Sequence, residues 1–257
     1  MNRRQMSEAP IVQRLAKGHS MKTVIAIAAT LMLAGCASNG VVASRSTQCA
    51  KPESDQELAL NMAEDMANEG RLYASLANLE RLPEDLVQVR LRKARVLRLM
   101  GRNEAEPLYK SLLGTCLAAD GEHGLGQLAA AKNDNTAATQ YLERAAKMAP
   151  TEGKIRNDLG VVYLNQRRIS EARFEFMTAM ELQQSDTLAA LNMVTVLIYQ
   201  DNWKQAAELA NMAKLSPQQV ADAQARAEKI RGSAANAVTS PANRLTEVVD
   251  ASIGAVK

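Results

Sequence analysis

Few residues in this chain could carry chemistry. It has three cysteines, Cys36, Cys49 and Cys116, and two histidines, His19 and His123. Cys36 closes an apolar run and is treated below. Cys49 and Cys116 form an even pair that could bridge in an oxidising compartment. The alternative is one mobile thiol near the N-terminus and one small buried apolar side chain, since a bridge needs Cα atoms within about 7 Å. His123 lies in GEHGLG at 121–126, which has three glycines but no strand ahead of them, so it does not read as a phosphate loop. No His, Cys and carboxylate set has metal-ligand spacing. There is no G-x-S-x-G elbow, Walker A loop or dinucleotide fingerprint. The expectation is no enzyme, no cofactor, no metal and no small-molecule substrate.

Composition sets the frame around these residues. Of 257 residues, 47% are apolar but only 3% aromatic. Alanine, leucine and methionine supply the apolar content, which favours helix and disfavours a sheet. The 31 basic and 28 acidic residues give a formal charge of +3. The first 35 residues hold five of the bases (Arg3, Arg4, Arg14, Lys17 and Lys22) and one acid, Glu8; without them 26 bases face 27 acids, a net −1. A near-neutral body does not read as a phosphate-binding surface, so no nucleic-acid partner is expected.

Residues 21–36 read MKTVIAIAATLMLAGC. A lysine followed by a short apolar run is too brief for a permanent membrane span and suits a signal-peptide core. Its end, Leu33-Ala34-Gly35-Cys36, resembles the bacterial lipobox. That resemblance implies a signal peptide over 1–35 with Met21 as the true start, and Cys36 as the lipid-modified first mature residue. Ala37, rather than aspartate, follows the cysteine, which resembles lipoproteins sorted to the outer membrane and implies a body facing the periplasm. Each buried CH₂ of such an anchor contributes about 0.8 kcal/mol. Residues 36–53 are small and polar and read as a tether.

Beyond the tether the periodicity is helical. Ser54 with Glu57 suggests a capping box, opening a helix from about 54 to 69. A second runs from about 71 to 81, with Ala63, Met66 and Ala74 in packing positions. Residues 84–114 suggest another pair, turning at Gly101-Arg102. Then 119–152 and 153–186 share one register at an offset of 34. With Gly153 as position 1, Leu159, Gly160, Tyr163, Ala172, Phe176 and Ala179 fall at positions 7, 8, 11, 20, 24 and 27. Leu125, Gly126, Ala138, Leu142 and Ala145 repeat that set in the unit before. Small residues let two antiparallel helices approach, and large ones fill the space between. A third copy, 187–220, is weaker, with Asp201 expected to cap its second helix ahead of Trp203, which packs in the turn. A polar helix over 217–231 follows, capped by Ser216 and stopped at Gly232, and a mobile tail over 232–257.

This pattern resembles the tetratricopeptide repeat (TPR). It implies an all-α superhelical solenoid over 54–231, about five helix pairs with a C-terminal cap. In that family positions 2, 5, 9, 12 and 13 of each first helix line the inner face. Carried over, they include Asp120, His123, Gln127 and Lys154, and a more apolar set of Asn157, Val161, Leu164, Leu188, Leu191, Thr195, Ile198 and Tyr199. The last eight read as a groove for the amphipathic helix of a protein partner. The alternative is that helix 217–231 folds back over these same residues.

The order of lipobox, tether, weak early repeats, strong repeats at GLGQLAAA and NDLGVVYLNQRRISEARFEF, and polar tail resembles the TadD-type lipoprotein of the Tad (tight adherence, Flp) pilus system. The resemblance covers roughly 21–231. It implies a pilotin or assembly role toward the outer-membrane secretin, with consequences for adhesion and biofilm. Two other expectations fit the same layout, a type IV pilus pilotin and a periplasmic adaptor for peptidoglycan or envelope enzymes.

Overall fold

The computed structural model describes residues 49–184 and 187–238. The expected signal peptide, Cys36, the expected tether up to residue 48 and the expected tail beyond 238 lie outside the described residues. Among these residues the chain forms eleven helices and no strand. They pair as hairpins: α1 (Ser54–Asn68) with α2 (Leu72–Leu79), α3 (Val87–Leu99) with α4 (Ala105–Lys110), α5 (Ala118–Ala131) with α6 (Asn135–Met148), α7 (Gly153–Asn165) with α8 (Ile169–Leu182), and α9 (Thr187–Tyr199) with α10 (Trp203–Met212). The last helix, α11 (Pro217–Val238), lies along α9. Each hairpin packs on the next, and the first helices α1, α3, α5, α7 and α9 follow one another along one side. No helix among the described residues is long and apolar enough to cross a membrane.

The 34-residue register is written into the backbone. Asn133, Arg167 and Asp201 stand 34 residues apart and take the left-handed conformation at φ 60, 61 and 60°. Each ends the turn after a first helix. In the two early hairpins glycine fills the equivalent turn, at Gly70 (φ 77°) and Gly101 (φ 70°), where the conformation carries no Cβ penalty. The weak third copy, 187–220, therefore keeps the same turn as the strong ones. Asp201 is part of that turn and is not the cap of α10, which is Asn202.

Close approach within a hairpin follows from position 8. A Cβ on Gly126 would come within 2.6 Å of Leu142, and one on Gly160 within 2.6 Å of Phe176. Position 4, on the same face, carries charge in both strong repeats, with the sign reversed. Glu122 takes a bidentate pair from Arg144 (2.9 Å), and Arg156 pairs with Glu175 (3.1 Å). Both carboxylate side chains are buried, so each needs its partner.

The core mirrors the strength of the repeats. One continuous cluster runs from Ala129 to Ile230 through Leu142, Leu159, Phe176, Val194 and Ala227. The first hairpins rest on two smaller clusters, around Leu60, Leu79 and Val89 and around Leu97, Tyr109 and Leu125. In α2 the small packing residue is Ser75, whose hydroxyl donates to the Ala63 carbonyl at 2.6 Å, while Ala74 faces solvent. The N-terminal box of α1 lies one residue earlier than expected, with the Glu53 N–H donating to Gln56 Oε1. Ser216 and Gln219 do cap α11 reciprocally. That helix passes through Gly232 to Val238; one glycine costs a helix only about 1 kcal/mol, and the next proline is Pro241.

Candidate functional site

Side chains three or four residues apart share a helix face, and three such faces converge on the side made by the first helices. Arg92, Arg95 and Arg98 line α3; Asp120, His123 and Gln127 line α5; Lys154, Asn157 and Asp158 line α7. With Glu64 of α1, Tyr109 of α4, Glu152 and Leu188 they enclose a cavity of about 480 Å³. Glycines shape its floor. A Cβ on Gly124 would enter the Tyr109 ring, and one on Gly121 would sit 2.9 Å from the Tyr109 carbonyl oxygen. The GEHGLG stretch is thus a helix face cleared for α4 and α6.

The polar groups are ordered unevenly. Asp158 accepts from Gln127 Nε2 at 2.7 Å and Asn157 Nδ2 at 3.3 Å, and its Oδ2 lies 2.7 Å from His123 Nε2. Burial works to raise its pKa, but the contacts with His123, Gln127 and Asn157 prevail and hold the carboxyl below the usual aspartate range. Water reaches Asp120, yet desolvation by the protein around it pushes its carboxyl up. On the opposite wall Glu64 pairs with both Arg95 and Arg92. Arg98 Nε donates to the Tyr109 hydroxyl at 3.4 Å. From Asp158 a chain of hydrogen bonds runs on through Asn157 to Asn192 of α9 (2.8 Å) and to Arg226 of α11 (2.7 Å).

The expected apolar groove is largely filled by the chain itself. Asn157, Leu164, Thr195 and Ile198 are buried, Val161, Leu191 and Tyr199 half-buried, and only Leu188 is exposed. The cause at α9 is α11. Arg231 donates to the carbonyls of Ile198 (2.6 Å) and Tyr199 (2.7 Å) and to Asp201, while Ala223, Ala227 and Ile230 join the core of Ile198. Of the eight groove residues, Asn157 and Leu188 line the open cavity. The arginine row on α3 was not anticipated as a lining, although its spacing in VRLRKARVLR was visible. Trp203 begins α10 and is half exposed.

The cysteine pair lies elsewhere. Cys49 and Cys116 form a disulfide with Cα atoms 5.5 Å apart, joining the segment before α1 to the α4–α5 connection. Gln88 of α3 supports this segment by donating to the Ala50 carbonyl at 2.9 Å. No group of three or more His, Cys, Asp or Glu among the described residues could hold a metal ion.

Stacked helical hairpins with a polar cavity on the face of their first helices define a helical-repeat solenoid. The tetratricopeptide repeat profile matches residues 129–190. The chain is 44% identical to TPR repeat-containing protein PA4299 of Pseudomonas aeruginosa over 173 residues, 67% of this chain and 71% of that protein. It belongs to the TPR repeat family. Two solved structures share its fold: TTC0263, a thermophilic TPR protein of Thermus thermophilus (18% identity, TM-score 0.52, 68% of this chain and 98% of the other), and Pseudomonas aeruginosa pilF (14%, 0.52, 67% and 88%).

Proposed function

We propose that this TPR protein is a non-enzymatic assembly scaffold, held at the outer membrane through a lipid on Cys36 and facing the periplasm. Its partner is the secretin, or another component, of a Tad/Flp pilus secretion machine, and it acts as a pilotin. The observation that carries the binding role is the open cavity of about 480 Å³ on the first-helix face. Its walls on α3, α4 and α5 share the cluster of Leu97, Tyr109 and Leu125, and α5 and α7 share the longer one, so the surface is preorganised. The LAGC sequence after an apolar run supports the anchor, and the order of elements along the chain supports the pilus assignment.

The test combines place and partner. Cells carrying Cys36→Ser are fractionated, and the captured partner is identified after crosslinking through a photoreactive residue at Leu188. Release into the soluble periplasm and capture of the secretin are expected. Continued outer-membrane fractionation removes the anchor. Capture of a cell-wall hydrolase instead makes the chain an envelope-enzyme adaptor, and capture of a type IV pilus secretin makes it a pilotin of that system.

A further inference from the structure

We propose that copies of this chain associate head to tail, the open face of α1 in one copy seating on the open face of α10 in the next. The residues concerned are not among those that line the cavity, and the inference goes beyond the partner reading above.

The backbone turns show which side of a first helix meets the hairpin before it. Twelve residues before the left-handed turn residue stand Val89 in α3, Gly121 in α5, Ile155 in α7 and Ala189 in α9, all of them buried. Eight residues before it stand Leu125, Leu159 and Met193 in the last three helices, again buried. These side chains face the preceding hairpin. A Cβ on Gly121 would lie 2.9 Å from the Tyr109 carbonyl oxygen and 3.1 Å from Leu112 Cβ, and Val89 shares a core with Leu60 and Leu79. In α1 the two places belong to Leu58 and Met62. They are 62% and 46% exposed, where Ile155 and Leu159 are each 2% exposed. Among the described residues no hairpin precedes α1, so an apolar face of the kind that joins repeats is left open.

The far end is open in the complementary sense. In the earlier repeats each new first helix packs chiefly on the second helix before it, whereas α11 packs chiefly on α9. The side of α10 that would receive a following first helix is therefore uncovered. Trp203 is 49% exposed, and Ala207 and Lys214 are exposed; their counterparts two repeats earlier, Thr139 and Ala146, are buried. One end lacks a second helix and the other lacks a first helix. Another copy supplies at each end the helix that is missing, as stacked repeats do within one chain.

Charge fixes the register. Helix α1 carries Asp55, Glu57, Glu64 and Asp65 and no base. Asp55 and Asp65 lie on the stripe of Leu58 and Met62, while Lys204 and Lys214 flank Trp203 and Ala207, with one acid, Glu208, between them. None of Asp55, Asp65, Lys204 and Lys214 has an ion pair among the described residues. Helices joined by short turns run antiparallel, so a first helix stacked on α10 brings Asp55 toward Lys214 and Asp65 toward Lys204. The acids are ten residues apart and so are the lysines, about 15 Å along a helix. Met62 then lands near Trp203, a favourable pairing of thioether and aromatic ring. Because the contact uses different surfaces on the two copies, it does not close on itself and adds copies in a row.

The test uses the full chain in cells, made in two differently tagged forms, with a photoreactive residue in place of Met62 in the first. Illumination is expected to join the two forms, with the link on residues 203–214 of the second. Lys204→Glu in the second form is expected to cut the yield by about tenfold or more, because like charge at the contact repels. Adding Asp65→Lys to the first form is expected to restore it. Both positions are exposed, and circular dichroism checks that the variants stay folded. A link from α1 to α1 of the other form would make the face isologous and overturn the proposal. So would a link within one chain to residues 37–48, a link to a different protein alone, or no link at all, and so would a yield indifferent to Lys204→Glu. Capture of a partner through Leu188 is expected to be unchanged by Lys204→Glu, so failure here and failure of the partner reading are told apart.

Discussion

Asn192 Nδ2 donates to Asn157 Oδ1 at 2.8 Å, and both side chains are buried where successive first helices meet. Asn192 also accepts from Arg226 Nη1 at 2.7 Å, so a single amide joins α7, α9 and α11. Burial disfavours the charged form of Arg226 and lowers its pKa, which makes that acceptor valuable. Asn192→Ala should destabilise the fold by about 1–3 kcal/mol. Asn157→Ala leaves the Arg226 contact in place and should cost less. Urea denaturation of both variants checks the order.

The position-4 ion pairs give a prediction with a pH signature. Arg156→Met leaves Glu175 buried without its cation, a loss of about 3 kcal/mol near neutral pH. Burial already raises the Glu175 carboxyl in the native chain, with Arg156 opposing. A group whose folded pKa is raised binds protons better when folded, so its contribution is full below the unfolded value and falls as pH rises through the folded one. The variant should therefore recover part of its deficit as pH is lowered toward about 5. A deficit that stays constant over that range would contradict the buried-charge explanation.

Asp158 should behave in the opposite sense. Its folded pKa is held below the ordinary 3.8 by its partners, so the stabilisation is present above that value and disappears as pH falls through the folded one. Asp158→Asn keeps the shape and removes the titration. The stability of the variant should be less steep than that of the wild type below about pH 4, measured by chemical denaturation across an acid series.

The Cys49–Cys116 bridge spans 67 residues, a closure that encloses α1 to α4. Chain-entropy reasoning assigns such a loop about 4 kcal/mol. In a Cys49→Ser, Cys116→Ser variant hydrogen exchange should accelerate in α1–α4, whose cores are small, and change little in α7–α9. Uniform acceleration through all repeats would show that the array unfolds as one unit.

Much of the architecture was legible because a 34-residue period repeats packing demands. Leu159, Gly160 and Phe176 are dictated by how two helices meet, and the same types recur at Leu125, Gly126 and Leu142. The inner face was harder to read. Position numbers assign Thr195 and Ile198 to an exposed stripe, but whether a stripe stays open depends on what α11 does, and that is a long-range contact. The arginine row is hidden for another reason: Arg92, Arg95 and Arg98 belong to the hairpin whose spacing is irregular, so the family's position numbers do not map onto it. Ser75 in place of Ala74 has the same origin, a one-residue shift of face in a short, weakly patterned helix.

The bridge has a mechanical side as well. A pull on the chain upstream of Cys49, resisted by a partner on the central repeats, passes through the two sulfurs to Cys116 and enters the array at α5. Helices α1 to α4 lie on a slack covalent loop parallel to that path. The least strongly cored part of the array is thereby relieved of load, and the strain arrives first at α5, one wall of the cavity.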